Sequence, residues 1–243
     1  MSDQPQHPQP RQPGTAAAAA PAPMFTRAAW ARILPFATYL LFIVIVDVLT
    51  RFGINAASLR WMYAVKVGAV ALMLIIFWRH YTELHRWRVG PIWALIALVT
   101  GVVVFVLWIS LNSPWMIIGS PEGFDPRTNG QIDWLMVAVR IAGAAVVVPI
   151  MEELFWRSFL MRWIDNVDFE AVDPSKVKPF SVAITVLLFA FEHNQWLAGI
   201  VAGLAYSWIY MAQRTLWSAV LAHAVTNFVL GVWIVRSSMW TYW

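Results

Sequence analysis

Long apolar runs separated by short polar clusters dominate the chain. The stretches 33–49, 61–78, 92–111, 133–164, 180–193, 197–212 and 216–235 are apolar with few interruptions, and Arg, Lys, Asp, Pro and Gly gather between them. About 20 apolar residues in a helix cross a ~30 Å hydrocarbon layer. Only helices and closed barrels satisfy their backbone groups there. The pattern therefore predicts an all-α fold, a polytopic membrane helix bundle of about seven to eight transmembrane helices. The short runs 180–193 and 197–212 could instead re-enter one face together. The run 133–164 is the longest, roughly 45 Å at 1.5 Å per residue, and Pro149 is expected to kink it one turn before Glu152. Gly199 and Gly203 have GxxxG spacing, extended by Ser207, which predicts a close helix–helix contact. A polar loop is expected over 112–131, where Pro114, Gly119, Pro121, Gly123, Pro126 and Gly130 break regular structure.

Residues 1–26 differ from the rest. Pro, Gln and Ala dominate and nothing there can bury a core, so a disordered cytoplasmic tail is expected ahead of a membrane domain over 27–243. Six prolines precede Met24, and no small-residue cleavage site follows the first apolar run, so no signal peptide is expected. Orientation follows from the loop cations. One set of ends holds Arg27, Arg32, Arg79, Arg86, Arg88, Arg162, Lys176, Lys178 and Arg214; the other holds Arg51, Arg60, Arg127 and Arg236. The excess places the N-terminus in the cytoplasm. Asp47 and Arg51 are spaced for an i,i+4 ion pair, while Lys66 and Arg140 are expected to snorkel toward an interface.

Composition sharpens this picture in three ways. Charged residues make up 12% of the chain, against about 25% in soluble domains, and the mean hydropathy is +0.63. There is no cysteine, which excludes disulfides, thiolate nucleophiles and Cys-ligated metals. The net charge of +4 is spread along the chain, so no basic patch for nucleic acid stands out. Sixteen tryptophans fit interfacial belts and packing.

Against this background one stretch is anomalous: Ile150-Met151-Glu152-Glu153-Leu154-Phe155-Trp156-Arg157. An ionised group at the bilayer centre costs about 2.5–3.5 kcal/mol on insertion scales and marks a functional site whose partner should be sought. Glu153 and Arg157 are i,i+4 and can pair. Further polar groups interrupt the later runs, His193 after Phe189, and His223 with Asn227 on one helix face. Counted from the basic ends of their runs, Glu152 and His193 lie roughly 18–20 Å deep and His223 and Asn227 roughly 10–17 Å. Three helices can thus bring a carboxylate, two imidazoles and an amide into one lumen. Such groups suit hydrolysis: a carboxylate to activate water, imidazoles to hold protons, an amide to receive oxyanion charge. His80 and His85 lie in a wet loop and make a poor metal site. Glu192, about 100° from His193 on a helix, falls outside the set.

Glu152-Glu153-x-x-x-Arg157, Phe189-x-x-x-His193 and His223-x-x-x-Asn227, in that order, resemble the motifs of the CAAX protease and bacteriocin-processing (CPBP, Abi/Rce1-type) intramembrane endopeptidases. The motifs cover 152–227, about a third of the chain. The N-terminal half, through Leu34-Pro35-Phe36 and the region 61–84 ending in Arg79-His80-Tyr81-Thr82-Glu83-Leu84, resembles the exosortase-associated branch. The resemblance implies a CPBP-type protease domain over 27–243 in a bacterial cytoplasmic (inner) membrane. It implies a membrane-associated protein or peptide as substrate, cleaved near its C-terminus. Glu152 would then be the general base, His193 would hold the water, His223 and Asn227 would stabilise the oxyanion, and Glu153 with Arg157 would support the site. The expectation is a mechanism without a cofactor.

Alternatives remain at this point. Glu152, His193 and His223 would also suit a His₂Glu zinc set with an open position. A membrane scaffold or immunity-type protein could bind a peptide in the same cavity. A transporter is disfavoured because the charges concentrate in one half and no repeat is visible. No HExxH, GxGD or rhomboid-type motif is present.

Overall fold

The computed structural model describes residues 24–119 and 123–243. The expected tail at 1–26 lies almost wholly outside them. Among the described residues seven helices carry the architecture: α1 Arg27–Arg51, α2 Met62–Ile76, α3 Pro91–Ser110, α4 Trp134–Trp163, α5 Pro179–Phe191, α6 Trp196–Gln213 and α7 Leu216–Ser237. Of these, α1, α3, α4 and α7 are long and apolar enough to cross a membrane, while α2 and α5 are shorter apolar helices. The chain is an all-α membrane helix bundle, as its hydrophobic pattern predicts. A minimal hairpin in the 112–131 loop and just beyond it is the exception among the described residues: Arg127–Thr128 pairs antiparallel with Gln131–Ile132. Asn129 and Gly130, both at positive φ, form its turn, as an Asn-Gly pair favours.

Local chemistry sets the helix starts. Thr26 caps α1 by accepting from the Ala29 amide, Asp133 caps α4 by accepting from Met136, and Pro91 and Pro179 occupy first-turn positions where a missing N–H costs nothing. The core packs α3 against α7, α5 against α6, and α1 against α2. The small-residue stripe of α6 works as expected: a Cβ on Gly199 would come within 2.8 Å of Ala190 Cα, and one on Gly203 within 3.2 Å of Val186. Gly101 allows an even closer approach of α3 to α7, since a Cβ there would lie 2.5 Å from the Ala222 carbonyl oxygen.

Loops gather at two ends. At one, Trp217 donates to Leu84 O, Gln213 to Arg88 O, and Arg214 pairs with Asp173. At the other, Asn194 donates to Ile118 O, Asn112 to Tyr242, and the Phe124 amide to Trp240 O. Arg79, Arg86, Arg88, Lys176, Lys178 and Arg214 are exposed at the first end. Two cations counted there as orientation charges have another role. Arg32 is buried, pairing with Glu83 at 2.7 Å, and Glu83 also accepts from Ser158 of α4. Arg162 is buried too, donating to the carbonyls of Glu170 and Val172. The Asp47–Arg51 pair forms at 2.9 Å on the surface.

α4 stays helical through Pro149. A wide turn over Gly143–Val147 precedes the proline, and a second spans Leu154–Leu160. In the first, the Val148 amide reaches back five residues to Gly143 O. The next carbonyl in that register, Ala144, meets Pro149, which has no N–H to give. The widened turn absorbs the ring and leaves one carbonyl to be satisfied from outside the helix.

Candidate functional site

The carboxylates of α4 divide sharply. Glu153 Oε1 accepts from Arg157 Nη1 at 3.2 Å and from His223 Nδ1 at 2.9 Å. Both Glu153 and Arg157 are fully buried, at 0% exposure. Arg157 also reaches Gly203 O and lies over the Phe189 ring at 4.3 Å. A buried charge so placed is stable only with such partners. Glu153 therefore joins the first motif to the third, beyond the support of Arg157 alone that the sequence suggests. Glu152, 4% exposed, makes no hydrogen bond to any described residue, and its Oε2 is sealed.

Glu152 lines a cavity of about 230 Å³ together with His193, His223 and Asn227. Two helices and one turn supply the four side chains: α4 gives Glu152, α7 gives His223 and Asn227, and the turn after α5 gives His193. His193 lies beyond α5, which ends at Phe191, and its Nδ1 meets Phe189 O at 2.8 Å. A carbonyl only accepts, so Nδ1 carries the hydrogen and Nε2 remains for other partners. The same logic applies to His223, whose Nδ1 is directed at Glu153. The His223 ring stacks on Tyr206 at 4.8 Å, and Tyr206 donates to Thr226, which donates to Gly101 O across to α3. Asn227 Nδ2 donates to Ala144 O at 2.8 Å, the carbonyl that Pro149 leaves open. Half of its amide donor capacity is thus committed to the backbone of α4.

Several members of this neighbourhood were not visible as such in the sequence. Glu192 was set aside by a helical argument, but the helix has ended before it. It accepts from Trp156 Nε1 at 3.2 Å and lines an adjoining cavity of about 540 Å³ with His193 and Gln195. The two cavities share Tyr39, Trp108, His193, Tyr242 and Trp243. They open toward the end of the bundle opposite the basic loops. Arg140, near the outer end of α4, lies among aromatic rings: its guanidinium is 4.6 Å from the Tyr63 ring centre, 4.4 Å from Phe124 and 5.6 Å from Trp243. Lys66 sits 3.8 Å above the Tyr39 ring. No sequence pattern announces either, because the rings that hold them come from other helices and from the tail.

No group of three His, Asp or Glu side chains converges as a metal site among the described residues.

Comparison with known proteins adds one match. Residues 134–229 fit the family described as type II CAAX prenyl endopeptidase Rce1-like. Neither the curated proteins nor the solved structures yield a match. The matched segment holds Glu152, Glu153, Arg157, His193, His223 and Asn227, and over that stretch the chain is similar to the Rce1-like CAAX-protease family.

Proposed function

We propose that the chain is an intramembrane endopeptidase that hydrolyses a peptide bond near the C-terminus of a membrane-associated protein or peptide, with Glu152 activating the attacking water. Similarity to the Rce1-like family over residues 134–229 supports protease chemistry in general. The observation that carries the finer reading is the contrast within one helix: Glu153 is consumed by Arg157 and His223, while Glu152 faces the cavity with no partner. A carboxylate left without partners in a buried wall is costly unless it serves the reaction.

In this mechanism Glu152 takes a proton from water as the oxygen attacks the scissile carbonyl. His193, with Nδ1 committed to Phe189 O, offers Nε2 to orient that water. The remaining Asn227 N–H faces the oxygen on which negative charge develops, and His223 donates to it from Nε2 as the imidazolium, protonated on both nitrogens. Glu153, bonded to His223 Nδ1, fixes the ring's orientation and offsets the charge of the imidazolium, and Arg157 holds Glu153. The proton on Glu152 then passes to the leaving amine. No cofactor is needed in this scheme, and activity should survive exhaustive chelation in protein shown by elemental analysis to lack zinc. A scaffold or immunity-type role would leave the phenotype of Glu152→Gln unchanged.

The exposed cations at one end support a cytoplasmic N-terminus in a bacterial inner membrane. The cavity then opens on the far side from the cytoplasm, and the substrate presents its C-terminus there. Pro35 and Phe36, part of the exosortase-associated resemblance, are buried, and the Phe36 ring stacks on Phe155 at 3.9 Å beside the first motif. That packing is compatible with the branch assignment. Comparing membrane-protein C-termini between cells carrying the intact chain and Glu152→Gln tests the reading. A C-terminus trimmed only with Glu152 intact supports it, and identical C-termini in both would falsify it.

A further inference from the structure

Among the described residues, two cations near the site have no carboxylate within ion-pair distance. Ion pairs join Arg32 to Glu83, Arg51 to Asp47, Arg157 to Glu153 and Arg214 to Asp173. Among the described residues no carboxylate lies within 4 Å of Arg140 or Lys66. Aromatic faces surround them instead: Tyr63, Phe124 and Trp243 around Arg140, Tyr39 and Tyr63 around Lys66. Ring faces attract cations but accept no strong hydrogen bond, so the guanidinium's fork of donors is left for an anion. Arg140 and Tyr63 line both the inner cavity that holds Glu152 and a side cavity of about 220 Å³ that holds Lys66. Arg140 is six residues from the start of α4 and Lys66 four from that of α2, and half-buried cations held by rings alone leave their donors to an anionic ligand.

We propose that Arg140 and Lys66 form an anion subsite that binds the free α-carboxylate of the substrate's C-terminus and so sets where the chain is cut. This rests on the peptidase reading above. Arg140 and Glu152 lie on the same helix, twelve residues apart, which is about 18 Å at 1.5 Å per residue. Extended peptide covers that distance in about five residues. A carboxylate held at Arg140 therefore puts the scissile bond at Glu152 about five residues from the end when the peptide is fully extended, and further from it when it is not. Tyr63 steadies the arrangement by donating to the Arg140 carbonyl oxygen at 3.2 Å.

The test uses the full chain in lipid nanodiscs, with Glu152→Gln as the background for binding. The probes are an N-lauroylated apolar pentapeptide with a free carboxylate and the same peptide as its C-terminal amide. The acid should bind at least about thirtyfold tighter than the amide, the low end for losing a desolvated charge pair. Arg140→Gln should bring the ratio below about threefold, Lys66→Met should reduce it, and Arg140→Lys should keep part of it. If Arg140→Gln does not fold, Lys66→Met and Arg140→Lys carry the comparison. Equal affinity for acid and amide overturns the subsite. So does a preference that survives both Arg140→Gln and Lys66→Met, or saturable short-chain phosphatidylglycerol that the peptide acid cannot displace. The underlying reading fails separately: with Glu152 intact, a preference for the acid without any cleavage keeps the subsite and rejects the peptidase. Cleavage of acid and amide at equal rates does the reverse.

Discussion

Glu152→Gln and Glu153→Gln change adjacent residues by the same atoms, and the structure assigns them opposite consequences. Glu153 Oε1 accepts two hydrogen bonds, from Arg157 and His223, inside a fully buried cluster. An amide there leaves the Arg157 guanidinium without its counter-charge. Breaking a buried pair from one side costs about 3–5 kcal/mol. At about 2–4 °C per kcal/mol for a chain of this size, the melting temperature should fall by about 6 °C or more. Glu152 accepts from no described residue and its Oε2 is sealed. Its amide removes a desolvated charge and no hydrogen bond, so stability should stay within about 1 kcal/mol of the parent or rise. Thermal unfolding of both variants in one detergent, followed by tryptophan fluorescence, gives the comparison, with cleavage of a cognate substrate measured alongside. Both variants should lose activity and only Glu153→Gln should lose stability. Equal melting temperatures, or a larger loss in Glu152→Gln, would refute the division of roles.

Asn227→Ala should cost about 1–3 kcal/mol by leaving Ala144 O unsatisfied. Pro149→Ala restores an N–H for that carbonyl, so the double variant should be less destabilised than the sum of the two, by at least about 0.5 kcal/mol in a double-mutant cycle; strict additivity counts against the link. Gly101→Ala places a Cβ 2.5 Å from Ala222 O and should cost about 1–3 kcal/mol. Gly68→Ala, in α2 with nothing within 4 Å, should instead stabilise by up to about 1 kcal/mol, and denaturation that ranks the two the other way rejects the α3–α7 contact. Because the chain has no cysteine, single cysteines at Arg86 and Asn129 label cleanly. A cytoplasmic probe should reach the first only, and the reverse pattern inverts the orientation.

The fold was legible because lipid permits few solutions. An apolar run of sufficient length has to be a helix, and most expected ends lie within a few residues of those observed. α5 ended early, at Phe191, because His193 and Glu192 belong to a turn. The residues of the three motifs were legible because charge in lipid is conspicuous. What stayed hidden depends on other elements. Arg32 read as an orientation charge until Glu83 came to meet it from the 77–90 loop. The aromatic surroundings of Arg140 and Lys66 come from α1, α2 and the tail, so the local sequence of neither residue shows them. Asn227 read as a free amide because only the three-dimensional path of α4 shows which carbonyl Pro149 abandons.

The Pro149–Ala144–Asn227 link also bears on how such a chain can diverge. Positions 149 and 227 are 78 residues apart in sequence, yet they answer for one carbonyl oxygen. A proline that drifts to 148 or 150 opens a different carbonyl and strands the amide. An asparagine replaced first leaves an unsatisfied acceptor in the core. Neither step is neutral alone, so substitutions at the two positions should arrive together, and a search for proteins with this architecture gains selectivity by requiring the proline three residues before the first glutamate as a fourth element of the pattern.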